Sequence, residues 1–133
     1  MPAKVFIDTN IVIYSLGANS TKTTQAAPLF AQQPTISTQV LSETANVALR
    51  KLAIPLEETR KLIAGLESMC RVEIVGPACI HRALDIAGQY GFSWFDSLIV
   101  ATALEAGCET LFTEDLQHGQ VIDGTLTITN PFA

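Results

Sequence analysis

Short apolar runs alternate along the chain with longer stretches whose apolar residues recur at helical spacing, the pattern of strands separated by helices. Lys4-Val5-Phe6-Ile7 is the first run, stopped by Asp8-Thr9-Asn10, residue types that end strands and start helices. Ile11 to Leu16 predicts a short helix closed by Gly17, and the polar stretch from Asn19 to Thr24 predicts a loop or the cap of a second helix over about Thr24–Gln32. Pro34-Thr35-Ile36 predicts a very short strand, followed by a helix capped by Ser37 or Thr38 and running to about Lys51. Pro55 opens another helix, with Leu62, Leu66 and Met69 on its expected apolar face. Arg71–Val75 alternates as a half-buried strand. Gly76-Pro77 then turns the chain into a helix presenting Ile80, Ala83, Leu84, Ala87 and Tyr90 on one face and ending at Gly91. Ser93 caps a helix from Trp94 to Ala106, and strands follow at Glu109–Thr113 and Thr125–Thr129. Strands joined through helices imply βαβ units, so the expected fold is α/β: a three-layer α/β/α sandwich around a mainly parallel sheet, with residues 1–133 as a single domain.

Composition narrows the functional classes. With 48% hydrophobic and 16% charged residues the chain suits a packed core, not a disordered segment. Thirteen acidic residues against eight basic give a net charge of −5, which argues against holding nucleic acid by bulk positive charge. No apolar run approaches the roughly 18 residues needed to span a bilayer, and Met1-Pro2-Ala3-Lys4 leads straight into the first strand without a signal-peptide pattern, so the expected location is the cytoplasm. Cys70, Cys79 and Cys108 have spacings of neither a disulfide framework nor a zinc ribbon and are read as buried thiols.

Four acids stand where a solvated acid does not belong. Asp8 follows Val5-Phe6-Ile7 at the carboxyl end of a strand, the edge at which open α/β sheets bind ligands, although a helix N-cap is an equal reading. Glu43 lies between Val40 and Val47 on the expected core-facing stripe of its helix, where an acid is either at the margin and reaching for solvent or buried beside a partner. Asp96 shares a stripe with Ile99, Val100 and Ala103, and Ser93-Trp94-Phe95-Asp96 also has the capping-box pattern. Asp115 follows Leu111-Phe112-Thr113, again beyond a strand's carboxyl end, with Glu114 beside it, where a turn acid is the default reading. Strand ends and helix starts meet along one edge of a doubly wound sheet, so these acids can converge. Ionised pairs about 5 Å apart would then repel by roughly 3 kcal/mol each. Raised pKa values or a hard divalent cation, magnesium or manganese, would relieve that repulsion.

These motifs resemble the PIN-domain ribonucleases, specifically the VapC-type toxins of toxin–antitoxin systems: Asp8-Thr9-Asn10 after the first strand, Glu43 in a mid-chain helix, Ser93-Trp94-Phe95-Asp96-Ser97-Leu98-Ile99, and Thr113-Glu114-Asp115 after a late strand. The resemblance spans essentially the whole chain. It implies that Asp8, Glu43, Asp96 and Asp115 form an acidic quartet binding Mg2+ or Mn2+, with Thr9, Asn10 and Thr113 as supporting polar groups and Glu114 sharing a role with Asp115. It implies hydrolysis of RNA by a metal-activated water attacking in line, leaving a 5'-phosphate and a free 3'-hydroxyl, with Asp115 or Asp96 as a candidate proton acceptor. It also implies a homodimer and inhibition by a cognate antitoxin that lays an apolar helix on the toxin and places a basic side chain near the acids. The basic pairs Arg50-Lys51 and Arg60-Lys61 are read as solvated helix ends, leaving a modest surface for gripping RNA.

Other readings fit less well. Phosphatases with an aspartate nucleophile want a second Asp where Asn10 stands, and His81 and His118 lie in unrelated segments, which disfavours a paired-histidine ribonuclease. A PIN-like binding or regulatory module without catalysis is the remaining alternative.

Overall fold

A computed structural model describes residues 4–18 and 20–133; the amino-terminal Met1-Pro2-Ala3 and Asn19 of the expected cap or loop lie outside the described residues. The chain runs β1 (Val5–Ile7), α1 (Thr9–Ile13), a wide turn over Tyr14–Ala18, α2 (Ser20–Ala26), a tighter turn of helix over Ala27–Gln32, β2 (Thr35–Ser37), α3 (Thr38–Arg50), α4 (Leu56–Met69), β3 (Arg71–Glu73), α5 (Pro77–Tyr90), α6 (Trp94–Glu105), β4 (Thr110–Phe112), β5 (Val121–Ile122) and β6 (Leu126–Thr129). The sheet order is β3-β2-β1-β4-β6-β5, with every pairing parallel except β5 against β6. This is the expected three-layer α/β/α sandwich.

That order decides where a ligand can sit. From β1 the chain steps outward to β2 and β3, then returns through α5 and α6 to place β4 on the other side of β1. The direction of winding reverses between β1 and β4, and helices departing to either side leave a crevice at the carboxyl ends of those two strands. Ile7 is in register with Phe112, so the residues just past them, Asp8 and Thr113, are neighbours at the crevice.

The core explains the element boundaries. Phe6, Ile7, Ile36, Leu111 and Ile128 are fully buried from the sheet, and α6 is buried along Ser97–Leu104, so its sequence is apolar all round and its periodicity faint. Several details differ from expectation. The first helix ends at Ile13 because Gly17, at φ 97°, breaks the helical path in the following turn. The expected helix over about Thr24–Gln32 is α2 plus the tighter turn: Pro28 has no amide to continue the hydrogen-bond ladder. β3 stops at Glu73, since the Val75 amide leaves the sheet to donate to Thr38 Oγ1 at 3.1 Å, and Ile74 is exposed. The buried stripe of α5 is Cys79, Ala83 and Ile86, while Ile80 and Leu84 face solvent; on α4, Thr59 and Leu66 are buried and Met69 is exposed. β5, with only two residues, has no period to read. All three thiols are free and buried, and burial pushes Cys70 up to about 11.

Candidate active site

Asp8 is fixed before any ligand is considered. It leaves β1 extended, caps α1, accepts from the Thr9 amide at 2.6 Å through Oδ1 and from the Thr113 hydroxyl at 2.7 Å through Oδ2. Thr113 Oγ1 in turn accepts from the Asp115 amide at 3.1 Å, so a single buried hydroxyl sets both the carboxylate after β1 and the turn after β4. Asp96 arrives from the first turn of α6, whose start is set by the Ser93 hydroxyl accepting from the Asp96 amide at 3.2 Å. One carboxylate oxygen from each of Asp8, Asp96 and Asp115 lies within 4.8 Å of the others.

Glu43 stands one helical step off the buried stripe of α3, which is Val40, Thr44 and Ala48. Its Oε1 accepts from the Thr9 hydroxyl at 2.7 Å, and it lines the same cleft as the three aspartates. Thr9 therefore serves Asp8 with its amide and Glu43 with its hydroxyl. Glu114 turns away from the cluster. It accepts from Tyr14 Oη at 2.6 Å and from Lys22 Nζ at 2.8 Å, while that ammonium stands 4.4 Å from the centre of the Tyr14 ring and 5.0 Å from that of Phe132. Burial pushes the Glu114 carboxyl up, but Lys22 and Tyr14 outweigh it and hold the group below its ordinary value. His118 Nδ1 accepts from the Asn130 amide and is structural in this setting.

The electrostatics match the crowding. Burial pushes the Asp8 carboxyl from an ordinary 3.8 up to about 7, against the pull of the Thr113 and Thr9 hydrogen bonds, and Asp115 and Asp96 add to the push. Asp115 is raised as well, by burial first, then by Asp96 and Glu114. The Asn10 amide lies close enough to Asp115 to favour its charged form, yet Asn10 Oδ1 and Nδ2 are buried without a hydrogen-bond partner of good geometry. A buried amide with both ends unspent is costly unless something polar meets it.

These groups suit a hard divalent cation. The donors are carboxylate oxygens, their span of 4.8 Å is close to the roughly 4.2 Å separating opposite oxygens around a magnesium ion, and one donor is buried enough to resist carrying an uncompensated charge. Asp8, Asp96 and Asp115 would hold the ion, and Glu43 lines the same cleft. The cleft, about 470 Å³, opens over the cluster and is also lined by Gln39, Asn46, Val47, Lys51 and Phe95. Lys51 was readable as a helix end alone, but Glu43, Val47 and Lys51 are spaced by four, which puts the lysine on the stripe that carries the acid.

The PIN domain family model matches residues 5–122. The chain belongs to the PIN domain family. This PIN domain is similar in fold to a chain of a toxin–antitoxin complex from Klebsiella pneumoniae, with a TM-score of 0.74 at 20% identity over 96% of this chain and 98% of that one. It is similar to VapC20 of Mycobacterium tuberculosis, a toxin that cleaves the Sarcin-Ricin loop, with a TM-score of 0.68 at 21% identity over 84% and 92% of the two chains. A chain of the DNA-bound VapBC complex from Salmonella typhimurium gives a TM-score of 0.70 at 20% identity over 96% and 98%. No curated protein matches this chain in sequence at a significant level. Among the described residues of this PIN domain, no helix is long and apolar enough to cross a membrane.

Proposed function

We propose that this PIN domain is a Mg2+- or Mn2+-dependent endoribonuclease, the toxin of a toxin–antitoxin pair, acting in the cytoplasm as a single-domain homodimer restrained by a cognate antitoxin. The observation that carries the reading is the gathering of Asp8, Asp96 and Asp115 oxygens at the floor of an open cleft, with Glu43 alongside. The similar toxin–antitoxin complexes and VapC20, a toxin that cleaves the Sarcin-Ricin loop, support the nuclease and antitoxin readings, and exposed Ile80 and Leu84 on α5 offer apolar surface for a protein contact.

A bound divalent ion would supply charge neutralisation at the scissile phosphate and a water acidic enough to attack near neutral pH. The chain does the rest. Asp8 is held rigid by Thr9 and Thr113, so its oxygens cannot rotate away from the cleft. The Thr9 hydroxyl aims Glu43. The buried Asn10 amide can donate from Nδ2 to a phosphate oxygen or water and accept from water at Oδ1. Asp115 is the most exposed of the three aspartates and, with its raised pKa, is suited to accept a proton from water; Asp96 stands next to it as the second candidate.

Incubation of end-labelled RNA with the protein in magnesium, in manganese and in excess chelator tests this directly. Cleavage with either ion, none with chelator, and a loss of at least about a hundredfold in Asp96→Asn is the expected result. No cleavage under any condition, with the ion still bound, would favour the non-catalytic module.

A further inference from the structure

Glu114 and Asp115 are adjacent acids that leave β4 in different directions. Asp115 joins the acidic cluster, whereas both oxygens of Glu114 are taken outside it: Oε1 accepts from Tyr14 Oη at 2.6 Å and Oε2 from Lys22 Nζ at 2.8 Å. Lys22 Nζ also donates to Tyr14 Oη at 3.2 Å, which closes a triangle of three side chains. Tyr14 and Phe132 meet edge to face at 5.3 Å, and the ammonium lies within cation–π distance of both rings. The Lys22 and Glu114 side chains are only 31% and 23% exposed, so the pair is shielded from water in a way that an ordinary surface ion pair is not. The triangle borders the candidate site, since Tyr14 and Asp115 line the same cleft.

We propose that Lys22 and Tyr14 are positioning residues: by holding the Glu114 carboxylate outside the cluster, they fix the turn after β4 with Asp115 inside it. The proposal rests on the ion-site reading above. Asp115 is pinned from two sides, by Thr113 Oγ1 accepting from its own amide at 3.1 Å and by the clamped side chain of the residue between them. Released from the clamp, Glu114 would be a further negative charge beside Asp115, free to displace it from the cluster. Charge alone predicts something else. Removing only the Lys22 ammonium makes the surroundings more negative, which by Coulomb attraction tightens cation binding. Replacing Lys22 by Met and Glu114 by Gln together removes one charge of each sign, so the field at the cluster is nearly unchanged while the clamp is gone. A contact that merely tied the amino-terminal helices to the sheet would cost melting temperature and leave the ion affinity of the folded protein as it was.

Calorimetric titration with Mn2+ of the full chain carrying Lys22→Met with Glu114→Gln, in the wild-type and in the Asp115→Asn background, tests this. Beside native Asp115 the paired replacement is expected to weaken Mn2+ binding about tenfold or more, the effect of losing a group that orients a ligand. In the Asp115→Asn background the same replacement should change the affinity less than about twofold, because the group it positions is already lost. Unfolding calorimetry checks that each titrated variant is folded. Tyr14→Phe, which removes one hydrogen bond and keeps both rings, is the milder variant, with an expected weakening of about threefold that also disappears in the Asp115→Asn background. The inference is overturned if the paired replacement binds Mn2+ like wild type, or if it weakens binding equally in both backgrounds. RNA cleavage in magnesium is scored separately: coupled Mn2+ binding without cleavage would sink the nuclease reading and leave this one standing, and a wild type that binds no Mn2+ overturns both.

Discussion

Asp8→Asn is expected to melt at a higher temperature than wild type when both are free of metal at pH 8, and to cleave RNA at least about a thousandfold more slowly in magnesium. The two effects have one cause. Asp8 is buried, and its carboxyl is raised from 3.8 to about 7, so above pH 7 the folded protein carries a charge that burial and its acidic neighbours disfavour by about 4 kcal/mol relative to the unfolded chain. Asparagine keeps the shape and can keep both contacts: its Oδ1 accepts from the Thr9 amide, and its Nδ2 donates to Thr113 Oγ1 in place of accepting from it. Removing the charge should therefore recover part of that penalty, about 1–3 kcal/mol. The same replacement removes a negative oxygen from the candidate ion site. Differential scanning calorimetry in chelator and a cleavage assay in magnesium read the two arms. A variant that is both inactive and less stable would point to Asp8 as an ordinary structural cap.

The second large effect is a pH dependence opposite to the usual acid denaturation. For a carboxyl whose pKa is higher in the folded state, the folded protein holds a proton that the unfolded chain has already lost, so stability is greatest below the unfolded value and falls as pH rises through the folded one. For Asp8 that window runs from about pH 4 to about pH 7, and the raised pKa of Asp115 acts in the same direction. Metal-free protein should lose up to about 4 kcal/mol across the window from Asp8 alone. An ion in the cluster takes the place of the proton, so saturating Mn2+ should flatten the profile and add about 3 kcal/mol at pH 8 when its concentration is a hundred times the Kd. Urea unfolding between pH 4.5 and 8, with chelator and with Mn2+, measures it. A metal-free profile that rises with pH would contradict the placement of Asp8.

The fold was legible where side chains alternate cleanly and opaque where they do not. Leu126 and Ile128 alternate with Thr127 and Thr129, and β6 falls there. Strands as short as β5 leave no period, and α5 misled because Ile80 and Leu84, apolar and helically spaced, lie on its outer face while the smaller Cys79 and Ala83 are packed inward. The meeting of the acids was legible because acids next to apolar runs are expensive unless strand ends and helix starts share an edge. Which acids meet depended on finer geometry. Asp115 and Glu114 are adjacent in sequence, and only the backbone turn set by Thr113 decides that Asp115 joins the cluster while Glu114 goes to Lys22 and Tyr14. The reversal of winding between β1 and β4, which makes the crevice, depends on pairings that no local pattern encodes.

The most direct test is a calorimetric titration of metal-free protein with Mn2+ at pH 8, comparing wild type with Asp8→Asn, Asp96→Asn and Asp115→Asn. If side chains after β1, at the start of α6 and after β4 share one ion, wild type binds Mn2+, and each replacement weakens that binding at least about tenfold while calorimetric unfolding still shows a folded protein. Three variants that bind Mn2+ as tightly as wild type, or a wild type that binds none, would contradict the account.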